Sequence, residues 1–266
     1  MSTKQTITST AAVICFCVTL LCGSALKCSS QHSEGSASHA VTAQPAQATP
    51  SDAGLIQKGK LLFDQTPKYA YHYVGNKLAC GDCHSRSGTA DYAAPLVNVA
   101  GLFPMFSKRA GHEITLKDRI QECFVRSEAG RPLPPDSPEM QALVAYIRSL
   151  SCNDQNGKPC AKRGLVKLPE LKGDPARGKL VYVKAECAIC HGKDGAGIPP
   201  IMPPVWGPSS YNDGAGMNNP SKMAAYVFHN MPQNNPGSLT PQQAYDVSTY
   251  IHSMPRPKFN QVYKVF

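Results

Sequence analysis

Apolar residues recur three and four positions apart in several segments, and strict alternation of apolar and polar residues is rare. Residues at this spacing lie on one face of a helix, whereas alternation is typical of a strand. Three segments show the helical spacing most clearly: Leu116, Ile120, Cys123 and Phe124; Met140, Leu143, Val144 and Ile147; and Ala244, Val247, Ile251 and Met254. The pattern predicts an all-α fold with little strand.

Capping residues indicate where these helices begin. Thr115 stands directly before the first segment, and Ser137-Pro138 precedes the second. Thr240 and Gln243 form a capping box before the third, because each side chain can bond to the backbone of the other. Asp174-Pro175 predicts the start of a further helix, which we expect to run into Cys187.

The N-terminal residues have the layout of an export signal. Lys4 is the one charged residue of a short polar start, an apolar run occupies residues 11–21, and small residues follow it. A membrane span would need about 20 apolar residues. We therefore expect residues 1–28 to be a signal peptide that directs the protein to the periplasm.

Two cysteines near the end of this segment, Cys22 and Cys28, raise the alternative of a lipoprotein. The residues before them, Leu21 and Lys27, argue against it, since small residues are expected there. The following residues, 29–53, are rich in Ser, Ala, Gln, Thr and Pro and predict a flexible tether.

Two motifs of the form C-x-x-C-H stand far apart in the chain. They comprise Cys80, Cys83 and His84, and Cys187, Cys190 and His191. Two thiols at this spacing can both form thioethers with one haem, and the adjacent His then faces the iron. A zinc site shared by the four cysteines is the alternative, but zinc gives no reason for a His after each pair. The motifs predict two covalently bound c-type haems with proximal His ligands.

The surroundings of the two motifs repeat as well. Gly59-Lys60-Leu61 precedes the first motif and Gly178-Lys179-Leu180 the second, and loops and a closing helix follow each. We therefore predict two tandem cytochrome c-type domains, over residues 54–150 and 172–266, the second with a C-terminal tail. The linker between them, residues 151–171, contains Cys152 and Cys160. These form a disulfide in an exported protein or remain two free thiols.

Composition agrees with this organisation and excludes other classes of protein. Hydrophobic residues make up 42% of the 266 residues, which is too many for a disordered chain. The pattern of apolar residues excludes a protein with several membrane spans and a coiled coil. A formal charge of +9 leaves a nucleic-acid partner open at first. The propionates of two haems offset much of that charge, so we expect no nucleic-acid partner.

The sixth iron ligand separates an electron carrier from an enzyme, because a carrier haem is usually closed by Met. In the second domain Met231 precedes Pro232 and the last helix, where small His/Met cytochromes place their ligand. Met217 and Met223 are rivals, each with packing against the haem edge as its alternative role. We predict Met231 as the ligand and a His/Met electron-transfer centre.

The first domain has no equivalent Met-Pro pair, and Cys123 takes its place. The helical spacing directs Cys123 inward, either as a buried core cysteine or as a thiolate on the haem iron. Arg119 and Arg126 stand four residues before it and three after it, and Arg109 lies in a preceding basic loop. Such cations lower the pKa of a thiol and form an anion site, although pairing with haem propionates is an alternative for them.

Several segments resemble the dihaem thiosulfate dehydrogenases over residues 54–259. They are Tyr73–Cys80, Arg119–Ser127, Pro132–Met140, Trp206–Met217 and Asn230–Pro232, and the Glu122-Cys123-Phe124 helix is the most specific. The resemblance implies that Cys123 ligates the first haem and is essential, and that Arg109 and Arg119 bind substrate. Some family members place a lysine on the second haem iron, but Asn230 precedes Met231 here, so we do not carry that role over.

The resemblance also implies the reaction. We expect an oxidoreductase, a thiosulfate dehydrogenase, that joins two thiosulfates to tetrathionate and passes electrons through the second haem to another cytochrome c or a similar carrier. The same site would serve the reverse reaction, and the sequence does not set the direction. The alternatives are a dihaem electron carrier with no substrate, in which Cys123 is inert, and a sulfur-oxidation cytochrome subunit that needs a partner chain.

Overall fold

Helices make up nearly all the regular structure in the computed structural model, which describes residues 50–266. In the first half they are α1 (Pro50–Asp64), α2 (Thr66–Tyr69), α3 (Cys80–Cys83), α4 (Ser85–Gly88), α5 (Leu116–Arg126) and α6 (Pro138–Ser149). In the second half they are α7 (Pro175–Lys184), α8 (Cys187–His191), α9 (Pro220–Asn230) and α10 (Pro241–Ser253). The predicted signal peptide and residues 29–49 of the predicted tether lie outside the described residues.

The predicted caps are present at the helix starts. Thr115, Ser137, Asp174 and Thr240 each accept a hydrogen bond from a backbone N–H in the first turn of the helix that follows. Because the first N–H groups of a helix have no partner inside it, these side chains fix where α5, α6, α7 and α10 begin.

Several details differ from the sequence predictions, and one of them is α9, which lies where the sequence predicts loops. The first helix begins at Pro50, inside the segment predicted as a tether. Helix α7 ends at Lys184, and a separate short helix, α8, carries the second motif. An antiparallel hairpin of β1 (Met105–Ser107) and β2 (His112–Ile114) occurs where the sequence predicts loops. Its strands are three residues long, too short to show an alternating pattern.

The repeated glycines lie where the first helix of each half crosses the last. Helix α1 packs against α6, and α7 packs against α10. A Cβ atom on Gly59 would lie 2.0 Å from the carbonyl oxygen of Ala142, and one on Gly178 would lie 2.0 Å from that of Asp246. The repeated Gly-Lys-Leu segments therefore correspond to two equivalent helix crossings, and only glycine fits at the point of contact.

We expect Gly59→Ala and Gly178→Ala each to lower the free energy of unfolding by about 2–3 kcal/mol, because the added methyl forces backbone apart. Gly54→Ala is the matched control on α1, since no atom lies within 4 Å of a Cβ at that position. It should leave stability unchanged or raise it by up to about 1 kcal/mol through helix propensity. Denaturant titration of the haem-loaded protein measures all three. Equal effects at Gly54 and Gly59 would refute the close crossing.

Each half has its own hydrophobic core, and the two halves contact each other through side chains from both. The first core is built from α1, α5 and α6 and the second from α7, α9 and α10. Leu78, from the first half, is buried in the second core. Asn212 donates a hydrogen bond to the carbonyl of Val125, and Asn230 donates one to the carbonyl of Tyr92. These bonds join segments that are far apart in the sequence.

The linker contains the disulfide that the sequence leaves open. Cys152 and Cys160 are bonded, with Cα atoms 5.4 Å apart. Asn98, in the first half, donates hydrogen bonds to the carbonyl groups of both cysteines. The start of the linker is therefore attached to the first half. Among residues 50–266, no helix is both long and apolar enough to cross a membrane.

Candidate active site

The two C-x-x-C-H motifs hold their histidines in the same way. His84 Nδ1 lies 2.5 Å from the carbonyl oxygen of Ala94, and His191 Nδ1 lies 2.9 Å from that of Pro203. Burial lowers the pKa of both imidazoles, although each carbonyl contact opposes the shift. A neutral ring that donates from Nδ1 leaves the Nε2 lone pair for a metal. Both histidines therefore have the form that a proximal iron ligand needs.

A cavity of about 460 Å³ lies beside the first motif. Cys80, Cys83 and His84 line it, and so do apolar side chains from α1, α5 and α6 and from the loops between them. These include Phe63, Leu96, Ile120, Phe124, Leu143 and Ile147. A covalently held haem needs two thiols, an imidazole and an apolar surround, and this cavity provides all three. The residues present therefore fit the group.

Cys123 lines the same cavity. Leu116, Ile120 and Phe124 are buried on α5, and Cys123 is half-buried on the same side of the helix. An Nη1 hydrogen of Arg119 donates to Cys123 Sγ at 3.5 Å. The structure thus brings together the first motif and the cysteine that the sequence proposes as the sixth ligand.

Arg109 and Arg119 also line the cavity, from different elements. Arg119 is on α5, and Arg109 is in the turn of the β1–β2 hairpin. Arg119 Nη1 lies 2.9 Å from Glu122 Oε2, and Arg109 Nη1 lies 3.9 Å from the same oxygen. Proximity to Cys123, together with Glu122, raises the pKa of Arg119. Two permanent positive charges therefore face the cavity beside the cysteine.

Arg126 is placed differently from the expectation that it lies beside Cys123. It does not line the cavity, and its guanidinium donates to the carbonyl oxygens of Gly214 and Phe266. It also stacks on Phe259, 4.1 Å from the ring centre. Arg126 ends α5, and its side chain extends to the C-terminal segment rather than to the cavity.

The three candidate methionines of the second half have different surroundings. Met223 is buried among the residues of the second core, which favours a packing role for it. Met217 and Met231 are partly buried and pack against the edge of that core. Met231 follows the last residue of α9, so the helix end fixes where its loop begins.

Family models match both halves of the chain. Residues 69–155 match the model described as SoxA/TsdA, cytochrome c domain, and residues 175–255 match the cytochrome c model. The thiosulfate dehydrogenase of Allochromatium vinosum is 39% identical over 230 residues, which cover 82% of this chain and 85% of that protein. The chain belongs to the thiosulfate dehydrogenase family.

Further members of the thiosulfate dehydrogenase family support this assignment. The thiosulfate dehydrogenase of Stutzerimonas stutzeri is 37% identical over 77% of this chain and 68% of its own length. The solved thiosulfate dehydrogenase TsdBA from Marichromatium purpuratum superposes with a TM-score of 0.72 at 30% identity. That match covers 79% of this chain and 48% of the solved chain, so this protein spans about half its length.

These matches confirm the predicted fold and cofactors of this thiosulfate dehydrogenase family member. It is predominantly helical, with two cytochrome c domains, and it carries two covalently bound c-type haems. The iron ligands and the substrate-binding residues stay predictions, which the positions of Cys123, Arg109 and Arg119 support.

Three residues near the first motif have no role in the sequence predictions. Glu122 contacts both arginines, as described above. Glu128 is fully buried, with Oε1 3.8 Å from Cys80 Sγ, and burial raises its pKa well above its ordinary value. The Tyr226 hydroxyl lies 2.9 Å from Ser85 Oγ and donates to the Asp82 carbonyl at 3.2 Å. No spacing rule reveals Tyr226, because its partners are in the other half of the chain.

Proposed function

We propose that this protein is an exported oxidoreductase that joins two thiosulfates to tetrathionate and passes the two electrons to an external carrier, such as another cytochrome c. One observation carries the proposal: a single cavity contains the first haem-attachment motif, a cysteine and two arginines. An electron carrier has no need of an anion site beside its haem. We take the anion to be thiosulfate, because the relatives are named thiosulfate dehydrogenases.

Arg109 and Arg119 bind the substrate in this proposal. Thiosulfate is a dianion, and a guanidinium can hold its sulfonate oxygens through two parallel hydrogen bonds. The reaction brings two dianions together, so their repulsion must be offset at the site. The two arginines come from different elements, α5 and the β1–β2 hairpin, and supply that positive charge.

Cys123 carries the sulfur chemistry. Its thiolate and the sulfane sulfur of one thiosulfate form an S–S bond, which releases two electrons and leaves a cysteine S-thiosulfonate, Cys–S–S–SO3−. The sulfane sulfur of a second thiosulfate then attacks the bound sulfane sulfur, and tetrathionate leaves as the Cys123 thiolate is restored. When bound, the two haems would accept these electrons one at a time. Atoms and charge balance in both steps.

The remaining ligands hold the redox centres in this proposal. His84 and Cys123 bind the first iron, and His191 and Met231 bind the second. Cys80, Cys83, Cys187 and Cys190 attach the two haems. Cys123 would serve both as an iron ligand and as the reactive thiolate, whereas Met231 would serve only as a ligand. The first centre would therefore supply the substrate chemistry and the second the exit for electrons. The reverse reaction, tetrathionate reduction, would use the same groups.

We place the protein in the periplasm. The apolar run at residues 11–21 supports export, and the Cys152–Cys160 disulfide suits an oxidising compartment.

A steady-state assay with thiosulfate and ferricyanide tests the reaction. We expect one tetrathionate and two reduced ferricyanides for every two thiosulfates consumed, because coupling is a two-electron oxidation. Ferricyanide reduction without tetrathionate would contradict the proposal. Absence of any turnover, with both haems still reducible by dithionite, would favour a plain carrier. Turnover that requires an added partner chain would favour a sulfur-oxidation subunit.

A further inference from the structure

A buried acid lies inside the proposed anion site. The side chain of Glu122 is 6% exposed and lines the cavity with Arg109, Arg119 and Cys123. Its Oε2 atom faces both guanidiniums, and its Oε1 atom has no hydrogen-bond partner within residues 50–266. On charge alone a carboxylate here opposes the binding of a dianion, so its presence needs a reason.

The geometry around Oε2 supplies that reason. Arg109 and Arg119 carry like charges on separate elements, and their side chains are 39% and 44% exposed. Without an anion between them the two guanidiniums would repel each other and sample many rotamers. One carboxylate oxygen, 2.9 Å from Arg119 Nη1 and 3.9 Å from Arg109 Nη1, brings both to one place.

Glu122 also sets where Arg119 directs its second hydrogen bond. The Nη1 atom carries two hydrogens. The atom donates to Glu122 Oε2 at 2.9 Å and to Cys123 Sγ at 3.5 Å. Once its first hydrogen bond is made, a guanidinium can direct its second hydrogen bond over only a narrow range of angles, because the group is planar and rigid. The carboxylate therefore controls the contact between Arg119 and the reactive sulfur.

We propose that Glu122 is a positioning residue, which holds Arg109 and Arg119 in the arrangement that binds thiosulfate and keeps an Arg119 N–H on Cys123 Sγ. This inference rests on the proposed function. Positioning and a pure charge effect predict opposite changes in substrate binding. Loss of the carboxylate should weaken thiosulfate binding if positioning dominates, and strengthen it if charge dominates.

Glu122→Gln in the full-length, haem-loaded protein tests the sign. We expect the KM for thiosulfate to rise about tenfold, the loss expected for one charge-assisted hydrogen bond, with a smaller change in kcat. Glu113→Gln is the matched control, because Glu113 is exposed on β2 and the change removes the same charge from the same domain. Its KM should stay within about twofold. An unchanged or lowered KM in Glu122→Gln would overturn the inference.

A double-mutant cycle separates positioning from a general effect on folding. In an Arg119→Met background, Glu122→Gln should raise KM by less than tenfold, since Arg119 is gone and only Arg109 is left for Glu122 to position. Fully additive effects would contradict the inference. Glu122→Asp keeps the charge and shortens the side chain, so we expect a KM between those of wild type and Glu122→Gln.

The electron paramagnetic resonance spectrum of the first haem gives a readout that does not depend on turnover. Glu122→Gln should shift that spectrum, because the N–H bond to Cys123 Sγ changes, and Glu113→Gln should not. If the wild type forms no tetrathionate, the proposed function fails, and this spectrum still tests Glu122. An identical spectrum in wild type and Glu122→Gln would refute the positioning role.

Discussion

Cys123→Met is expected to lower thiosulfate turnover by about 10³-fold or more, while both haems stay attached and reducible. Under the proposed mechanism, the variant keeps a sulfur ligand for the iron but removes the thiolate that bonds to the sulfane sulfur. The attachment cysteines and proximal histidines are untouched, so haem content should not change. Steady-state tetrathionate formation measures the loss of turnover. Absorption spectra of the dithionite-reduced protein show whether both haems are still attached and reducible.

Val144→Met is the matched control for this variant. Val144 is half-buried on α6, packs against the first core and does not line the cavity. The change adds a methionine to the same domain without removing the thiol, so activity should stay within a few-fold of wild type. Turnover by Cys123→Met at the wild-type rate would show that Cys123 is an inert core cysteine.

Arg119→Met is expected to lower kcat/KM for thiosulfate by about 10²-fold, which corresponds to about 2.7 kcal/mol. The variant removes a positive charge that faces the cavity and the hydrogen bond to Cys123 Sγ. Because substrate is a dianion, most of the loss should appear as a raised KM. Arg119→Lys should recover only part of it, since an ammonium cannot form two parallel bonds.

Arg148→Met removes the same charge from an exposed position on α6 of the same domain. Its kcat/KM should stay within about twofold of wild type, because exposed charges at a distance are screened by salt. Equal losses in Arg119→Met and Arg148→Met would show that overall charge, and not a local contact, draws thiosulfate to the protein.

Local patterns were sufficient to predict where α5, α6, α7 and α10 begin and where the haem motifs lie. Thr115 and Thr240 cap helices because their hydroxyls satisfy N–H groups a few residues away, and this depends on local sequence alone. The inward position of Cys123 follows from the spacing of Ile120 and Phe124, which are buried beside it. The C-x-x-C-H spacing is likewise local, since both thiols and the imidazole bind one group.

Long-range contacts explain what the sequence could not predict. Arg126 is one residue closer to Cys123 in sequence than Arg119 is, yet it contacts Phe259 and Phe266 from the far end of the chain. Arg109 reaches the cavity because it lies in the turn of the β1–β2 hairpin. The strands of this hairpin are three residues long, too short for an alternating pattern to show in the sequence. Glu122 gains its importance from two arginines on separate elements. Each of these depends on how the elements pack.

The central claim is that Cys123 ligates the iron of the first haem and so makes this half of the protein a substrate site. The most direct measurement is the low-temperature electron paramagnetic resonance spectrum of the oxidised wild-type protein beside that of Cys123→Met. We predict one His/thiolate and one His/Met low-spin signal in the wild type, and loss of the thiolate signal alone in the variant. Two His/Met signals in the wild type, or a spectrum that Cys123→Met leaves unchanged, would contradict the claim.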